Sequence, residues 1–305
     1  MKTLRIKVPF VADILFVMDA ALIRRIEASG AVDRIHRFPT AKLPAWVRAF
    51  FRATKFHDAE RDLWFCPLES ETDPSYRPRR RYLEDKVATG YSADDVRQIA
   101  DLLTADAPDD HLAHAMVQIV NQRFFGAEIP AEISRAAHDT VQNLGEAIVP
   151  WKYRRGRRAQ QRIMDYCAHA LPADVHHLDV GHNIGEVVQT TAGALKRLKA
   201  NLDKPIDTIF TAEGLTPQVL RIATMSSTFD GALKTPVTAG WTIIVFKIGR
   251  AAADTGSLMF TFGTGGPDRL CVFKDFFLAF MADLQRNLLE RRASAAVPPP
   301  QLAGR

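Results

Sequence analysis

Cysteine is scarce in this chain of 305 residues: the three copies are Cys66, Cys167 and Cys271, and no two lie close together in the sequence. This scarcity excludes a disulfide framework and a zinc ribbon, and it favours a reducing cytoplasm. The chain also lacks an uncharged apolar run long enough to cross a bilayer. Charge interrupts residues 1–7, and no small-residue cleavage site follows, which is unlike a secretion signal. We therefore expect a cytoplasmic protein without a membrane span.

Several motifs of catalysis and metal binding are missing as well. No Lys-Ser or Lys-Thr follows the glycine-rich residues 263–267, and no Gly-x-Ser-x-Gly elbow occurs. These absences exclude a phosphate-binding loop and the usual hydrolase nucleophile. Residues 109–111 and 176–179 group aspartates with histidines, but neither group has a third ligand at a diagnostic spacing. The sequence therefore argues against a metal held by histidines and carboxylates.

The chain is basic, with a formal net charge of +5 and a pI of about 9.2, and basic residues cluster at 77–81 and 152–158. Neither cluster carries a nucleic-acid-binding motif or a helix of base-reading side chains, so we expect no nucleic-acid partner. A basic face is equally suited to an acidic electron-transfer protein or a carrier protein. An acidic electron-transfer protein or carrier protein is therefore retained as an alternative partner.

The pattern of apolar residues predicts a mainly α protein of the α+β class. Residues 4–18 and 241–248 are predicted to be extended, because they are rich in β-branched and aromatic side chains. The predicted helices cover residues 20–29, 93–105, 111–125, 131–148, 156–170, 184–201 and 272–292. No linker divides residues 1–292, which we expect to form a single domain, and the proline-rich tail 293–305 is expected to be disordered.

A glycine-rich loop at residues 260–271 ends in Cys271 and leads directly into the last predicted helix. Glycines let a backbone wrap closely around a large ligand, and a helix N-terminus favours the thiolate of a cysteine placed there. Arg269, two residues before the sulfur, could hold a carboxylate of the same ligand. Heme offers both an iron for the thiolate and propionates for the arginine. The alternative is a glycine turn with a buried structural cysteine.

Five segments add a further signal through their order along the chain. Residues 11–26 are predicted to hold a strand and an Asp-capped helix, and the basic stretch at residues 79–96 contains Arg79, Arg80 and Arg81. A turn, Phe-Phe-Gly-Ala-Glu-Ile-Pro, lies at 124–130. Residues 221–243 combine Arg-Ile-Ala with Pro-Val-Thr-Ala-Gly, and residues 259–271 hold the cysteine loop. This order of segments resembles the cytochrome P-450 family.

The resemblance implies a cytochrome P-450-like helical domain with small β-sheets, in which heme b lies between a central helix and the helix after the cysteine loop. Cys271 would be the thiolate ligand of the iron, and thiolate ligation favours O–O cleavage in this family. The residues that the resemblance places at the cofactor are Cys271, Arg269, Arg221, Phe262, Gly265 and either Arg80 or Arg81. The alternatives are a surface position for Arg221 and a capping role for Arg269.

The sequence departs from the family at the central helix. Residues 180–185 resemble the family's Ala-Gly-x-acid-Thr stretch, but Asn183 replaces the acid and Ile184 replaces the threonine. Since Asn cannot titrate and Ile cannot hydrogen-bond, proton delivery would need other groups. The candidate catalytic residues are His182 and Asn183, with His177, Glu186, Thr190 and Thr191 as nearby alternatives for a relay. A histidine on such a helix is also commonly a satisfied polar residue.

Further departures concern the heme pocket. Residues 207–211, where the family's Glu-x-x-Arg pair is expected, contain no arginine. Phe273 stands where a glycine normally follows the cysteine. The chain is also shortened before Arg221 and between Asp254 and Phe262. These differences set the chain apart from ordinary members of the family.

Three functions follow from the resemblance. The first is a heme-thiolate oxidoreductase of monooxygenase or peroxygenase type that acts on a small apolar substrate, with the aromatic-rich residues 43–65 as a pocket wall. The second is a heme-thiolate isomerase or dehydratase, which needs no proton relay to dioxygen and which the replaced acid and threonine favour. The third is a non-catalytic protein on the same scaffold, against which the retention of Cys271 with Arg269 argues.

Overall fold

The computed structural model describes residues 2–10, 12–34, 41, 43, 45–54, 57–58, 63–64, 74, 76–142, 150–171, 176–212, 215, 218–264 and 270–296. Its strands are β1 (Thr3–Val8), β2 (Ala12–Val17), β3 (Val32–Arg34), β4 (His57–Asp58), β5 (Leu63–Trp64), β6 (Val219–Ala223) and β7 (Thr242–Phe246). Its helices are α1 (Ala20–Ala28), α2 (Ala45–Thr54), α3 (Tyr76–Val87), α4 (Ala93–Thr104), α5 (Asp109–Phe125), α6 (Ala131–Gln142), α7 (Pro150–Ala170), α8 (His177–Ala200), α9 (Ile206–Thr211), α10 (Ile248–Thr255), α11 (Leu258–Thr261) and α12 (Lys274–Ala296).

The larger sheet has the strand order β1-β2-β7-β6-β3, in which β2 is parallel to β7 and the other neighbours are antiparallel. Every residue of β7 is buried, as expected for a strand covered on both faces. In β2 the residues alternate between buried and half-buried, because successive side chains point to opposite faces. The extended structure predicted at residues 4–18 is therefore a hairpin, and the strand predicted at 241–248 is β7. Strands β4 and β5 form a small antiparallel pair.

An ion pair ties β1 to β2 and β7. Arg5 donates two hydrogen bonds to the Asp13 carboxylate, from Nε to Oδ1 at 2.8 Å and from Nη2 to Oδ2 at 2.6 Å. The Thr242 hydroxyl donates to the same Oδ2 at 2.6 Å. Burial alone would raise the pKa of Asp13, but the hydrogen bonds from Arg5 and Thr242 outweigh it and hold the pKa below its ordinary value of 3.8.

The lowered pKa of Asp13 predicts how the stability of the sheet depends on pH. The interaction contributes fully above pH 3.8, the ordinary value in the unfolded chain, and is lost as the pH falls through the lower pKa of the folded protein. We expect Asp13→Asn to reduce the free energy of unfolding by about 1.5–3 kcal/mol at neutral pH, and by progressively less below about pH 4. Urea unfolding of the wild-type protein and of Asp13→Asn, at neutral pH and below about pH 4, measures the change in the free energy of unfolding. An equal loss in Asp254→Asn, whose ion pair with Arg250 is exposed, would contradict this account.

The helices form a second core beside the sheet. Helices α4, α5, α8 and α12 pack around fully buried side chains that include Ile99, Leu195 and Phe280. Ser92 begins α4 with the predicted cap: its hydroxyl accepts from the Asp95 N–H at 3.2 Å, and the Asp95 carboxylate accepts from the Ser92 N–H at 2.7 Å. Helix α8 also packs against α6, α7 and α9, which makes it the central helix of this core.

Two helices begin earlier than the sequence predicts. Helix α7 begins at Pro150 rather than at residue 156, and α8 begins at His177 rather than at residue 184. Glycine lowers helix propensity, and Gly156 and Gly181 lie near the starts of these helices. The local pattern therefore understates their length.

The helix ends also differ from prediction. Helix α6 ends at Gln142, and the remainder of its predicted span, up to residue 148, lies outside the described part of the chain. Helix α12 continues to Ala296. Residues 293–296, which the sequence analysis assigns to a disordered tail, are therefore helical. Residues 297–305 lie outside the described part of the chain. None of the described helices is both long and apolar enough to span a membrane.

Candidate functional site

Cys271 lies where the glycine-rich loop meets α12. Its backbone N–H donates to the Phe262 carbonyl at 2.8 Å, and its own carbonyl accepts from the Lys274 N–H at 3.1 Å. The first hydrogen bond closes the loop, and the second leads into the helix. Phe262 is buried, and its ring packs against Phe277 of α12 with the centroids 5.7 Å apart. The loop is thus anchored to α12 on both sides of the cysteine.

Cys271 is exposed to solvent, although desolvation by nearby protein atoms acts on its thiol. Burial is the largest influence and raises the pKa of Cys271 to about 11, whereas the Phe273 N–H and Arg80 act to lower the pKa. The sequence predicts a thiolate stabilised by the helix N-terminus, and burial outweighs that effect here. A metal ion reverses the preference, because a coordinating thiol is deprotonated outright.

Helix α3 brings Arg80 to the cysteine loop. The Arg80 Nη1 donates to the Leu270 carbonyl at 3.3 Å and to the Tyr76 hydroxyl at 3.2 Å. Its Nε donates to Glu84 at 2.8 Å. Arg81, the neighbouring candidate from the sequence, is exposed. Of this pair, Arg80 is the arginine that hydrogen-bonds to the described part of the loop.

A second arginine of α3 joins this helix to α8. Arg79 forms an ion pair with Asp179, whose carboxylate is buried in the first turn of α8. His176 Nδ1 lies 3.4 Å from the same carboxylate, and its ring stacks on His177 with the centroids 5.6 Å apart. Asp179 is therefore a structural partner of α3. Within the described part of the chain, no cluster of three metal-ligating side chains occurs.

His182 and Glu186 lie one turn apart on α8, with His182 Nε2 4.0 Å from Glu186 Oε1. The negative charge of Glu186 acts to raise the pKa of Cys271, so this carboxylate is within electrostatic range of the sulfur. Gly185 lies beside this pair, and in the described part of the chain no atom outside its own helix lies within 4 Å of where a Cβ would be. The carboxylate that acts on the thiol and the open space at Gly185 thus lie on the same helix, α8.

These residues fit the cofactor that the sequence implies. A cysteine thiolate is an axial ligand of heme iron, and the guanidinium of Arg80 beside it suits a carboxylate such as a propionate. The open space beside Gly185 leaves room for a large ligand to approach the helix backbone. Gly265 and Arg269 lie outside the described residues, and their roles at the cofactor stay predictions.

The residues that replace the acid and the threonine have structural partners. Asn183 Nδ2 donates to Asn121 Oδ1 on α5 at 3.2 Å, and Asn121 is fully buried. Ile184 is fully buried in the helical core. Neither side chain titrates. Asn183 contributes to the contact between α5 and α8, and the catalytic role assigned to it from the sequence stays a prediction.

Arg221 of β6 is paired with a residue of α1. Its Nε donates to Glu27 Oε1 at 2.5 Å, its Nη1 donates to the Leu220 carbonyl at 2.9 Å, and the side chains of Arg221 and Glu27 are only 9% and 7% exposed. The guanidinium carbon lies 6.0 Å from the centroid of the Phe246 ring. The surface position considered for Arg221 is therefore wrong. Its contact with a propionate stays a prediction.

Comparison with known proteins identifies the fold. No family model and no curated protein sequence matches the chain. Among solved structures, the chain is similar to CYP175A1 from Thermus thermophilus, with a TM-score of 0.61 and 14% identity over 93% of this chain and 83% of that one. It is also similar to the ligand-free cytochrome P-450 OleT, with a TM-score of 0.62 and 10% identity over 94% of this chain and 83% of that one. The chain therefore has the cytochrome P-450 fold, which confirms the resemblance and the mainly α class predicted from the sequence.

Proposed function

We propose that the protein is a heme-thiolate oxidoreductase of monooxygenase or peroxygenase type that acts on a small apolar substrate. The observation that carries this proposal is the position of Cys271 in a chain with the cytochrome P-450 fold: it precedes α12, with Arg80 beside it and Glu186 of α8 within electrostatic range. Heme b, when bound, supplies the iron and the redox chemistry.

In this proposal the chain's own residues hold and orient the cofactor. Cys271 gives up its thiol proton on ligation, because the thiolate is the ligating form. Arg80 is fixed by its hydrogen bonds to Tyr76, Glu84 and Leu270 in a position to bind a propionate. The further propionate partners that we propose from the sequence are Arg221 and Arg269. Phe262 anchors the loop that presents the sulfur.

His182 and Glu186 are proposed to hold and move protons in place of the missing acid and threonine. Their side chains are 22% and 39% exposed, so the pair can exchange protons with solvent. An imidazole beside a carboxylate is suited to proton transfer near neutral pH. Asn183 lies next in the chain and helps to fix α8 against α5.

We expect Glu186→Gln to slow product formation by about 10²-fold or more, because a general acid or base typically contributes that much. The glutamine cannot titrate but keeps the size of the side chain. The assay supplies heme-loaded protein with hydrogen peroxide, or with an electron donor, and arachidonic acid as the probe. A structure of an OleT variant is a complex with that fatty acid, which motivates the choice.

The matched control is Glu290→Gln, which removes an exposed carboxylate from α12 and should leave the rate unchanged. Rates at the parental level in both Glu186→Gln and His182→Ala would rule out the relay. Unchanged heme spectra in these variants are needed to separate proton delivery from cofactor binding.

A heme-thiolate isomerase or dehydratase is the second candidate. The surroundings of Asn183 and Ile184 favour it, since neither residue titrates and Ile184 is fully buried. Such an enzyme would convert an already oxidised substrate, such as a lipid hydroperoxide, without an electron donor. Turnover of the hydroperoxide together with no oxidation of arachidonic acid would select this candidate over the first.

An acidic electron-transfer or carrier protein is the partner that we propose for the oxidoreductase. Arg77 and Arg81 are exposed on α3, the helix that also contacts the cysteine loop through Arg80. An acidic surface docked there would lie close to the candidate heme site. The isomerase candidate needs no such partner.

A further inference from the structure

Helices α6 and α7 border a half-open cleft of about 430 Å³, and none of the described residues that line it belongs to the candidate heme site. Four arginines of α7 line it: Arg154, Arg155, Arg158 and Arg162. Among the described lining residues, Asp139 of α6 carries the carboxylate, and the Arg155 Nη2 donates to it at 2.9 Å. The described part of the lining therefore has an excess of positive charge, and the function proposed for the heme site does not use these arginines.

The positive charges are arranged regularly along α7. Arg154, Arg158 and Arg162 follow one another at intervals of one turn, so their side chains share a face of the helix. Within the described part of the chain, these three arginines have no carboxylate partner. Like charges at this spacing oppose one another and weaken a helix. Ile163 and Cys167, toward the other side of α7, are buried and hold the helix in place.

We propose that this cleft binds a small molecule that carries two linked phosphate groups. A guanidinium pairs with phosphate through two parallel hydrogen bonds, and arginine is the residue best suited to this geometry. Arg154, Arg158 and Arg162 are spaced roughly 6 Å apart along the helix axis, so one ligand can contact two of them. A bound anion would also reduce the repulsion among the positive charges of Arg154, Arg158 and Arg162.

The shape of the cleft favours a small ligand over a macromolecule. Its volume of about 430 Å³ falls in the usual range of small-molecule sites, which is roughly 300–1,000 Å³. Ala136 and Ala159 line the cleft as small apolar residues, so the arginines flank a concave space rather than a flat face. A nucleic acid or an acidic protein would be expected to use a longer and more open basic surface.

Pyrophosphate is the probe for this site. Calorimetric titration of the full chain at low salt is expected to show saturable binding, and thermal unfolding should show a rise in Tm with pyrophosphate concentration. Arg158→Gln should weaken binding about tenfold or more, because it removes a charge-assisted contact. Arg157→Gln is the matched control, since Arg157 is exposed on the same helix but is not part of the lining. It changes the net charge equally and should alter the affinity less than about threefold.

The outcomes separate the possible sources of the phosphate. Binding to phosphatidylcholine vesicles that contain diacylglycerol pyrophosphate, with displacement by pyrophosphate, would identify a lipid headgroup, whereas pyrophosphate binding without vesicle binding would identify a soluble ligand. The proposal is overturned if pyrophosphate shows no saturable binding, or if Arg157→Gln and Arg158→Gln lose affinity equally. Binding of single-stranded RNA that pyrophosphate does not displace would also overturn it, in favour of a nucleic-acid partner.

Discussion

Cys271→Ala is expected to abolish the thiolate signature of the heme-loaded protein. In the wild-type chain the reduced carbon monoxide complex should have a strongly red-shifted Soret band, because the thiolate donates electron density to the iron. Alanine offers no ligand atom, so we expect the red-shifted band to disappear and heme content to fall. Absorption spectra of both proteins, reduced under carbon monoxide, measure the effect.

Cys167 supplies the matched control for this experiment. It is a buried cysteine of α7, and burial raises the pKa of its thiol to about 12, which disfavours the ligating thiolate. Cys167→Ala should therefore leave the red-shifted band in place. An unchanged spectrum and heme content in Cys271→Ala would refute the assignment of the ligand.

Arg221→Met is expected to lower the free energy of unfolding by about 3–5 kcal/mol, because it breaks a buried ion pair and removes the guanidinium that binds the Glu27 carboxylate. The pair joins β6 to α1, so its loss weakens the contact between the sheet and the helix that covers it. The double variant Glu27→Leu and Arg221→Met should recover most of the loss, since apolar residues can replace a buried ion pair. Urea unfolding of the heme-free chain measures all three proteins.

The control for the buried pair is an exposed one. Arg97→Met breaks the ion pair with Asp94 on the surface of α4 and should cost less than about 1 kcal/mol. If Arg97→Met and Arg221→Met lower the free energy of unfolding equally, burial of the ion pair between Arg221 and Glu27 does not increase its contribution to stability. A double variant no more stable than Arg221→Met alone would indicate that α1 and β6 need the charges themselves.

The elements with strong local signals could be predicted from the sequence. The capping box of Ser92 and Asp95 placed the start of α4 correctly, because both of its hydrogen bonds join residues close in the chain. The strand at residues 241–248 is predicted from its β-branched and aromatic residues, and it contains the fully buried β7. The early starts of α7 and α8 were not predicted, since their residues owe their helical state to packing in the core rather than to a local pattern.

The site was predictable only where one residue carries the signal. Cys271 stood out through its glycine-rich loop, but the choice between Arg80 and Arg81 depends on the orientation of α3, which the sequence does not determine. The pair of Arg221 with Glu27 joins residues 194 positions apart. Glu27 did give a signal, because it shares the buried face of α1 with Ile23 and Ile26, and a charge on such a face requires a partner.

The long-range contact between α3 and α8 gave no comparable signal. Arg79 and Asp179 are 100 positions apart, and each lies in a stretch with other charged residues or histidines. The replacement of acid and threonine by Asn183 and Ile184 was visible in the sequence, whereas the pairing of Asn183 with Asn121 was not. Partners of this kind are set by how helices pack, and a single sequence contains no record of that packing.

The most direct test of the central claim is the absorption spectrum of the purified full chain after heme supplementation, first oxidised and then reduced under carbon monoxide. The account predicts a coloured protein with the strongly red-shifted Soret band of thiolate ligation, carried by Cys271. A chain that stays colourless after supplementation would contradict it, and would leave the cytochrome P-450 fold here as a scaffold without its cofactor.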